Sequence, residues 1–171
     1  EGGCVTPGSC ASVVVTVVAD PTAPTLNVAT PATGSTVCEG QNLSATFNAG
    51  SGGTGCTDEY QFSIDGGSTY NPYTPGNAIS TAGLAGQTVI IQGRRDCSGN
   101  GCDGAAETFA TLASWTVVAD PTAPTLNVAT PATGSTVCEG QDVSATFNAG
   151  SGGTGCTDEY QFSIDGGSTY N

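Results

Sequence analysis

The sequence predicts an all-β protein: short strands packed as two-layered sandwiches, in tandem copies of about 100 residues, stapled by disulfides. Three observations carry that prediction. The stretch Thr16–Asn71 returns as Thr116–Asn171, and only Asn42, which becomes Asp142, and Leu43, which becomes Val143, differ. Apolar and polar residues alternate at period two, the pattern of a strand with one buried face, and no stretch has helical periodicity. Turn formers, among them 26 Gly and 9 Pro, punctuate the chain about every 8–12 residues.

The elements follow in order. Pro21-Thr22-Ala23-Pro24 punctuates the start, because proline and the residue before it favour extended backbone. Thr25–Thr30 and Ser35–Cys38 are the first strand candidates. Leu43–Ala49 alternates strictly and places Leu43, Ala45, Phe47 and Ala49 on one face. Tyr60–Asp65 likewise turns Tyr60, Phe62 and Ile64 inward, and Asp65-Gly66-Gly67-Ser68 supplies the positive-φ residues of a tight hairpin. Ala78–Thr81, Gln87–Arg95 and Glu107–Val118 complete the set, with Leu84 placed to plug the core at a corner. Seven or eight short strands in about 100 residues make a β-sandwich.

A period of this size belongs to beads on a string, not to the shorter units of solenoids. Asp20-Pro21 and Asp120-Pro121 mark the joints. Residues 1–20 read as the C-terminal end of a preceding repeat, 21–120 as one complete repeat, and 121–171 as the N-terminal part of a following one. The whole reads as an excerpt of a longer repetitive chain.

This pattern resembles bacterial immunoglobulin-like (Ig-like) repeats. It departs from antibody domains, because the cysteines fall at strand ends or in loops and the one tryptophan, Trp115, sits in the last strand. The stretches VCEGQNLSATFNAGSGGTGCTDEYQFSIDGGSTY, GLAGQTVIIQGRRDC and AAETFATLASWTVVADPTAPTL look like tandem repeats of very large secreted proteins of Bacteroidetes-type bacteria, including gliding-motility adhesins and surface filaments. The likeness covers nearly the whole chain. It implies export, surface display and adhesion or fibre building, and it carries no catalytic residue.

Eight cysteines at regular spacing point to disulfides, and hence to an oxidising compartment. Each repeat has Cys38, Cys56, Cys97 and Cys102, and Cys4 and Cys10 look like the preceding repeat's equivalents of the last two. Two loops of different sequence, both bracketed by cysteine, favour local pairs Cys4–Cys10 and Cys97–Cys102, which leaves Cys38–Cys56 and Cys138–Cys156. One geometric difficulty attends this pairing: strand Leu43–Ala49 separates Cys38 from Cys56 by about 20 Å unless Gly50–Gly55 folds back. Pairing of Cys56 with the Cys97/Cys102 hairpin, and a cross-repeat bond from Cys38, therefore stay open. A four-cysteine zinc site is the rival, but the spacing matches no C-x2-C knuckle.

Fifteen Asp and Glu against two Arg give a net charge of −13, and the chain has no His, Lys or Met. There is no imidazole for a Ser-His-Asp triad, no lysine for a Schiff base or an isopeptide staple, and no basic footprint for nucleic acid. The longest apolar run, Val13–Ala19, is too short to span a bilayer. Asp58-Glu59 as a glycoside-hydrolysing pair lacks a cleft signal, so no catalytic or cofactor-binding residue is assigned. Calcium is the one cofactor considered, with Asp20 and Asp120 at the joints and Asp96 and Asp103 around the cysteine loop as its ligands. No D-x-D-x-D-G loop is present, and a solvated acidic surface is the plainer reading. Alternation sends Arg94 and Arg95 to opposite faces, over acidic neighbours. The glycosylation sequon Asn42-Leu43-Ser44 is lost in the second copy, where Asp142 replaces the asparagine.

The functional expectation is a rigid spacer, about 35–45 Å per repeat, in a stalk or fibre at the bacterial cell surface. Its partners are neighbouring repeats of the same chain or fibre. One alternative is an adhesive or carbohydrate-binding module, with the loops around 50–58 and 96–104 and the rings of Tyr70 and Tyr73 contacting surface glycans. The other is an accessory domain of an exported enzyme.

Overall fold

The computed structural model describes residues 13–97 and 105–171; Cys4, Cys10, Cys102 and Asp103 lie outside the described residues. Among the described residues the protein is all-β, with no α-helix. Eight strands lie between the two joints: β1 (Thr25–Thr30), β2 (Thr36–Cys38), β3 (Asn42–Asn48), β4 (Cys56–Ser63), β5 (Asn71–Pro72), β6 (Ile79–Ser80), β7 (Thr88–Cys97) and β8 (Ala110–Val118). A 3-10 turn at Ala105–Glu107 occupies the start of what the sequence suggested as the last strand. Strand β4 begins at Cys56, well before the alternating run from Tyr60, and β5 carries no alternation that would reveal it.

These strands form two sheets. One has the order β1-β3-β6, and the other β2-β8-β7-β4-β5. All pairings are antiparallel except β2 with β8, where Thr36, Val37 and Cys38 run parallel to Thr116, Val117 and Val118. One hydrophobic cluster draws on both sheets: Leu43 and Ala45 from β3 and Ile79 from β6, against Val37, Val89, Ile91, Ala113, Trp115 and Val117. Leu84 packs at its edge. Trp115 is 1% exposed, and its indole N–H donates to the Pro31 carbonyl at 2.9 Å, so the ring is buried without an unpaired donor.

The hairpin leaving β4 is organised by Asp65. Its carboxylate accepts from Thr69 Oγ1 at 2.6 Å, from Ser63 Oγ at 2.7 Å and from the Ser68 and Thr69 backbone N–H groups at 3.0 Å. The Thr69 hydroxyl above all, then Ser63 and the backbone donors, hold the carboxyl well below the usual carboxylate range. Gly66 and Gly67 take the positive φ values, 73° and 97°, that the turn demands.

The two ends of this fold are distinct. Cys56, Cys97 and the start of β1 lie at one end, whereas β8 runs to the other, where the Val118 carbonyl accepts from the Glu39 N–H at 2.8 Å. Nine residues of β8 separate these ends by about 30 Å.

In the second copy only β9 (Thr125–Thr130) and β10 (Ser144–Asn148) form, paired as β1 and β3 are. The residues equivalent to β2 and β4 are not in strands. Their sequence is the same, so the difference is one of partners: β2 and β4 owe their ladders to β8 and β7, which residues 121–171 do not contain.

Candidate functional site

The most elaborate polar construction in the molecule is the joint, gripped by the Gly-rich loop after β3. Thr22 and Ser51 exchange backbone hydrogen bonds at 2.8 and 3.2 Å, and the Gly53 N–H donates to the Ala19 carbonyl at 2.8 Å. A side chain at Gly52 would collide with the Asp20 carbonyl, and one at Gly53 with the Cys56 sulfur. Both glycines also have a φ of 70°, so the loop needs glycine for conformation and for clearance.

Arg95 and Asp58 anchor the loop from below. Arg95 Nη1 donates to Asp58 Oδ1 at 2.9 Å, its Nε and Nη2 each donate to the Gly52 carbonyl at 3.2 Å, and Asp58 Oδ2 accepts from the Gly50 N–H at 2.8 Å. The two side chains are only 15% and 13% exposed, so the pair is shielded and every polar arm is used. Arg94 faces away from Arg95. It pairs with Glu59 at 2.7 Å and Asp96 at 3.3 Å, and its guanidinium lies 4.7 Å from the Phe109 ring centre.

The same construction recurs in the second copy. Thr122 and Ser151 pair, and the Gly153 N–H donates to the Ala119 carbonyl at 2.7 Å. Val118 and Ala119 are consecutive residues. The carbonyl of the first is held by Glu39 of one copy and that of the second by Gly153 of the next, so no free residue lies between the two holds.

The disulfide pairing corrects the favoured assignment. Cys56 bonds Cys97, with Cα atoms 4.0 Å apart, and Cys38, Cys138 and Cys156 are free thiols. The pairs Cys38–Cys56, Cys97–Cys102 and Cys138–Cys156 are therefore not formed, and Cys4–Cys10 lies outside the described residues. The cause is the early start of β4: antiparallel pairing with β7 sets Cys56 directly opposite Cys97. The Gly-rich loop, instead of folding back toward Cys38, arches over that bond. The signal was present in the charges. Laying Asp58-Glu59 antiparallel to Arg94-Arg95 puts Asp58 opposite Arg95, Glu59 opposite Arg94 and Cys56 opposite Cys97.

The calcium candidates are not brought together. Asp96 is committed to Arg94, Asp20 and Asp120 are exposed at the joints, and Asp103 lies outside the described residues. No group of three or more Cys, Asp or Glu able to hold a metal occurs among the described residues.

The suggested glycan platform divides. Tyr73 is a core residue, 7% exposed, whose hydroxyl donates to the Asn77 carbonyl at 2.8 Å and accepts from the Ala45 N–H at 2.9 Å. Its ring meets Phe47 and Phe62 edge-on, so it offers no face to a ligand. Tyr70 instead lines an open groove of about 710 Å³ along β4 and β5, together with Glu59, Tyr60, Asn71 and Phe109. Burial, and then the charge of Asp58, pushes the Tyr60 phenol up, so it remains a neutral hydroxyl at neutral pH.

Comparison with known proteins finds no matching family model, no matching curated protein and no matching solved structure.

Proposed function

We propose that residues 21–120 are one Ig-like β-sandwich in a tandem array, and that the array is a rigid spacer in an exported, cell-surface fibre or adhesin stalk. The observation that carries this reading is the joint, where consecutive backbone carbonyls at Val118 and Ala119 are held by consecutive copies. A spacer needs its units fixed end to end, and a joint without free residues restricts the swivel that a flexible linker allows. The chain enters and leaves the eight-stranded fold at opposite ends, which favours a linear string over a compact cluster. The disulfide supports an oxidising, extracellular setting. The reading assigns no catalysis.

Electron micrographs of the fibre test it. An axial repeat of about 35–45 Å with straight runs of several units is expected. Beads bent at random angles overturn the rigid-spacer reading.

Glycan binding is the second reading, favoured by the groove beside Tyr70 and Phe109. Titration of the full chain against a glycan panel separates the two, because a pure spacer gives no response.

A further inference from the structure

The second copy presents an apolar face that the first copy covers. Leu43 is fully buried in the core, whereas its equivalent Val143 is 68% exposed. Phe162 and Ile164 are 61% and 86% exposed, and with Phe147 and Tyr160 they line an open groove of about 650 Å³. Phe147 and Tyr160 already stack at 4.5 Å, as Phe47 and Tyr60 do at 4.6 Å. The face is thus in its working arrangement and lacks only its cover.

The cover is visible on the first copy: it is the β7–β8 hairpin. We propose that the face on residues 125–164 is an acceptor for the β7–β8 hairpin of a second copy of this chain.

Three independent matches select that occupant. Apart from Asn42/Asp142 and Leu43/Val143, the acceptor has the sequence of the face on which β7–β8 is already seated. The charges fit as well. Asp158 and Glu159 have no cationic partner, because the chain's two cations, Arg94 and Arg95, pair with Glu59 and Asp58. A docked β7 sets its Arg95 and Arg94 opposite them. Finally, Cys156 is a free, exposed thiol at the position of Cys56, so docking brings the incoming Cys97 opposite it.

The hairpin that docks belongs to another molecule. In its own chain, β8 ends at Val118 at the Cys38 end of the fold, while the next residue, Ala119, is held by Gly153 at the Cys156 end of the second copy. Seating a hairpin on its own second copy requires Val118 and Ala119 to lie at opposite ends of one fold. A single peptide link spans only about 3.8 Å.

Exchange leaves the number of covered faces unchanged and is gated by redox state, because the Cys56–Cys97 bond ties each hairpin to its own first copy. Once that bond is reduced, the two acceptors compete almost equally. A disulfide oxidant then seals either outcome: the Cys97 and Cys156 thiols lose two electrons and two protons to form the S–S bond, and glutathione disulfide is reduced to two thiols.

The test uses the full chain, reduced, concentrated and reoxidised with glutathione disulfide, then read by non-reducing electrophoresis and peptide mapping. Expected are monomers joined Cys56–Cys97 and dimers joined Cys97–Cys156 between chains. Cys56→Ser removes the rival thiol and shifts the product toward the dimer. Val143→Asp, on a face remote from the first copy's core, abolishes the dimer junction and leaves the Cys56–Cys97 monomer. The proposal is overturned if the wild-type chain yields only Cys56–Cys97. It also fails if dimers join solely through other cysteines, if Cys97–Cys156 forms inside a monomer, or if the junction survives Val143→Asp, which marks random collision of thiols.

Discussion

Removing the Cys56–Cys97 bond, by Cys56→Ser with Cys97→Ser, should destabilise the eight-stranded fold by about 4 kcal/mol. The bond closes a loop of sequence separation 41. Loop-closure entropy for that length is about 13 cal/mol/K, or about 4 kcal/mol at 25 °C, lost by the unfolded chain when cross-linked. An unfolding entropy of about 0.2 kcal/mol/K for about 100 residues converts this to a fall in Tm of about 20 °C. The assay is intrinsic fluorescence during urea and thermal unfolding. Trp115 is the chain's one tryptophan and is buried in this core, so the signal reports on this fold alone. Cys38→Ser serves as control, because that thiol is free and its loss should cost no more than about 0.5 kcal/mol. A double variant within about 1 kcal/mol of the parent would refute the reasoning, since the bond would then constrain nothing that the unfolded chain was free to explore.

Three further outcomes are expected. Asp58→Ala strands a shielded Arg95 and leaves the Gly50 N–H without its acceptor, and should cost about 2–3 kcal/mol in urea midpoint measurements; Glu59→Ala, in a pair 30% and 44% exposed, should cost under about 1 kcal/mol. Trp115→Phe removes the donor to Pro31 and part of the core's largest side chain, and should cost about 2 kcal/mol by calorimetry. Asp65 has a folded pKa depressed by its hydroxyl and amide donors, so its contribution is whole above the ordinary aspartate value and is lost as pH falls through the folded one. Urea midpoints measured from pH 5 to pH 2 should therefore fall less steeply for Asp65→Asn than for the parent.

The strands with one buried face were legible because alternation records burial: Leu43 and Ala45 in β3 alternate with exposed or half-exposed neighbours, and the structure buries both. The start of β4 was not, because Asp58 and Glu59 are polar on both faces of the strand and owe their place to Arg95 and Arg94 opposite. That information is non-local, and the disulfide depended on it. The second copy makes the same point within one molecule. Residues equivalent to β1 and β3 pair again as β9 and β10, since both strands lie in the repeated stretch, whereas those equivalent to β4 form no strand without β7. The grip on the joint was invisible for another reason: it runs through backbone carbonyls of Ala19 and Gly52, which leave no mark on side-chain pattern beyond the glycines themselves.

Entry and exit at opposite ends also give the molecule a mechanical character. A pull on the chain acts lengthwise along β8, which must shear from β2 on one side and β7 on the other before it yields. When it does yield, the Cys56–Cys97 bond keeps 41 residues out of the released chain. At about 3.4 Å per residue, roughly 140 Å of slack in each copy never enters the line. The bond thus caps how far a ruptured unit can lengthen, and leaves a short tether from which the unit can refold once the load is gone.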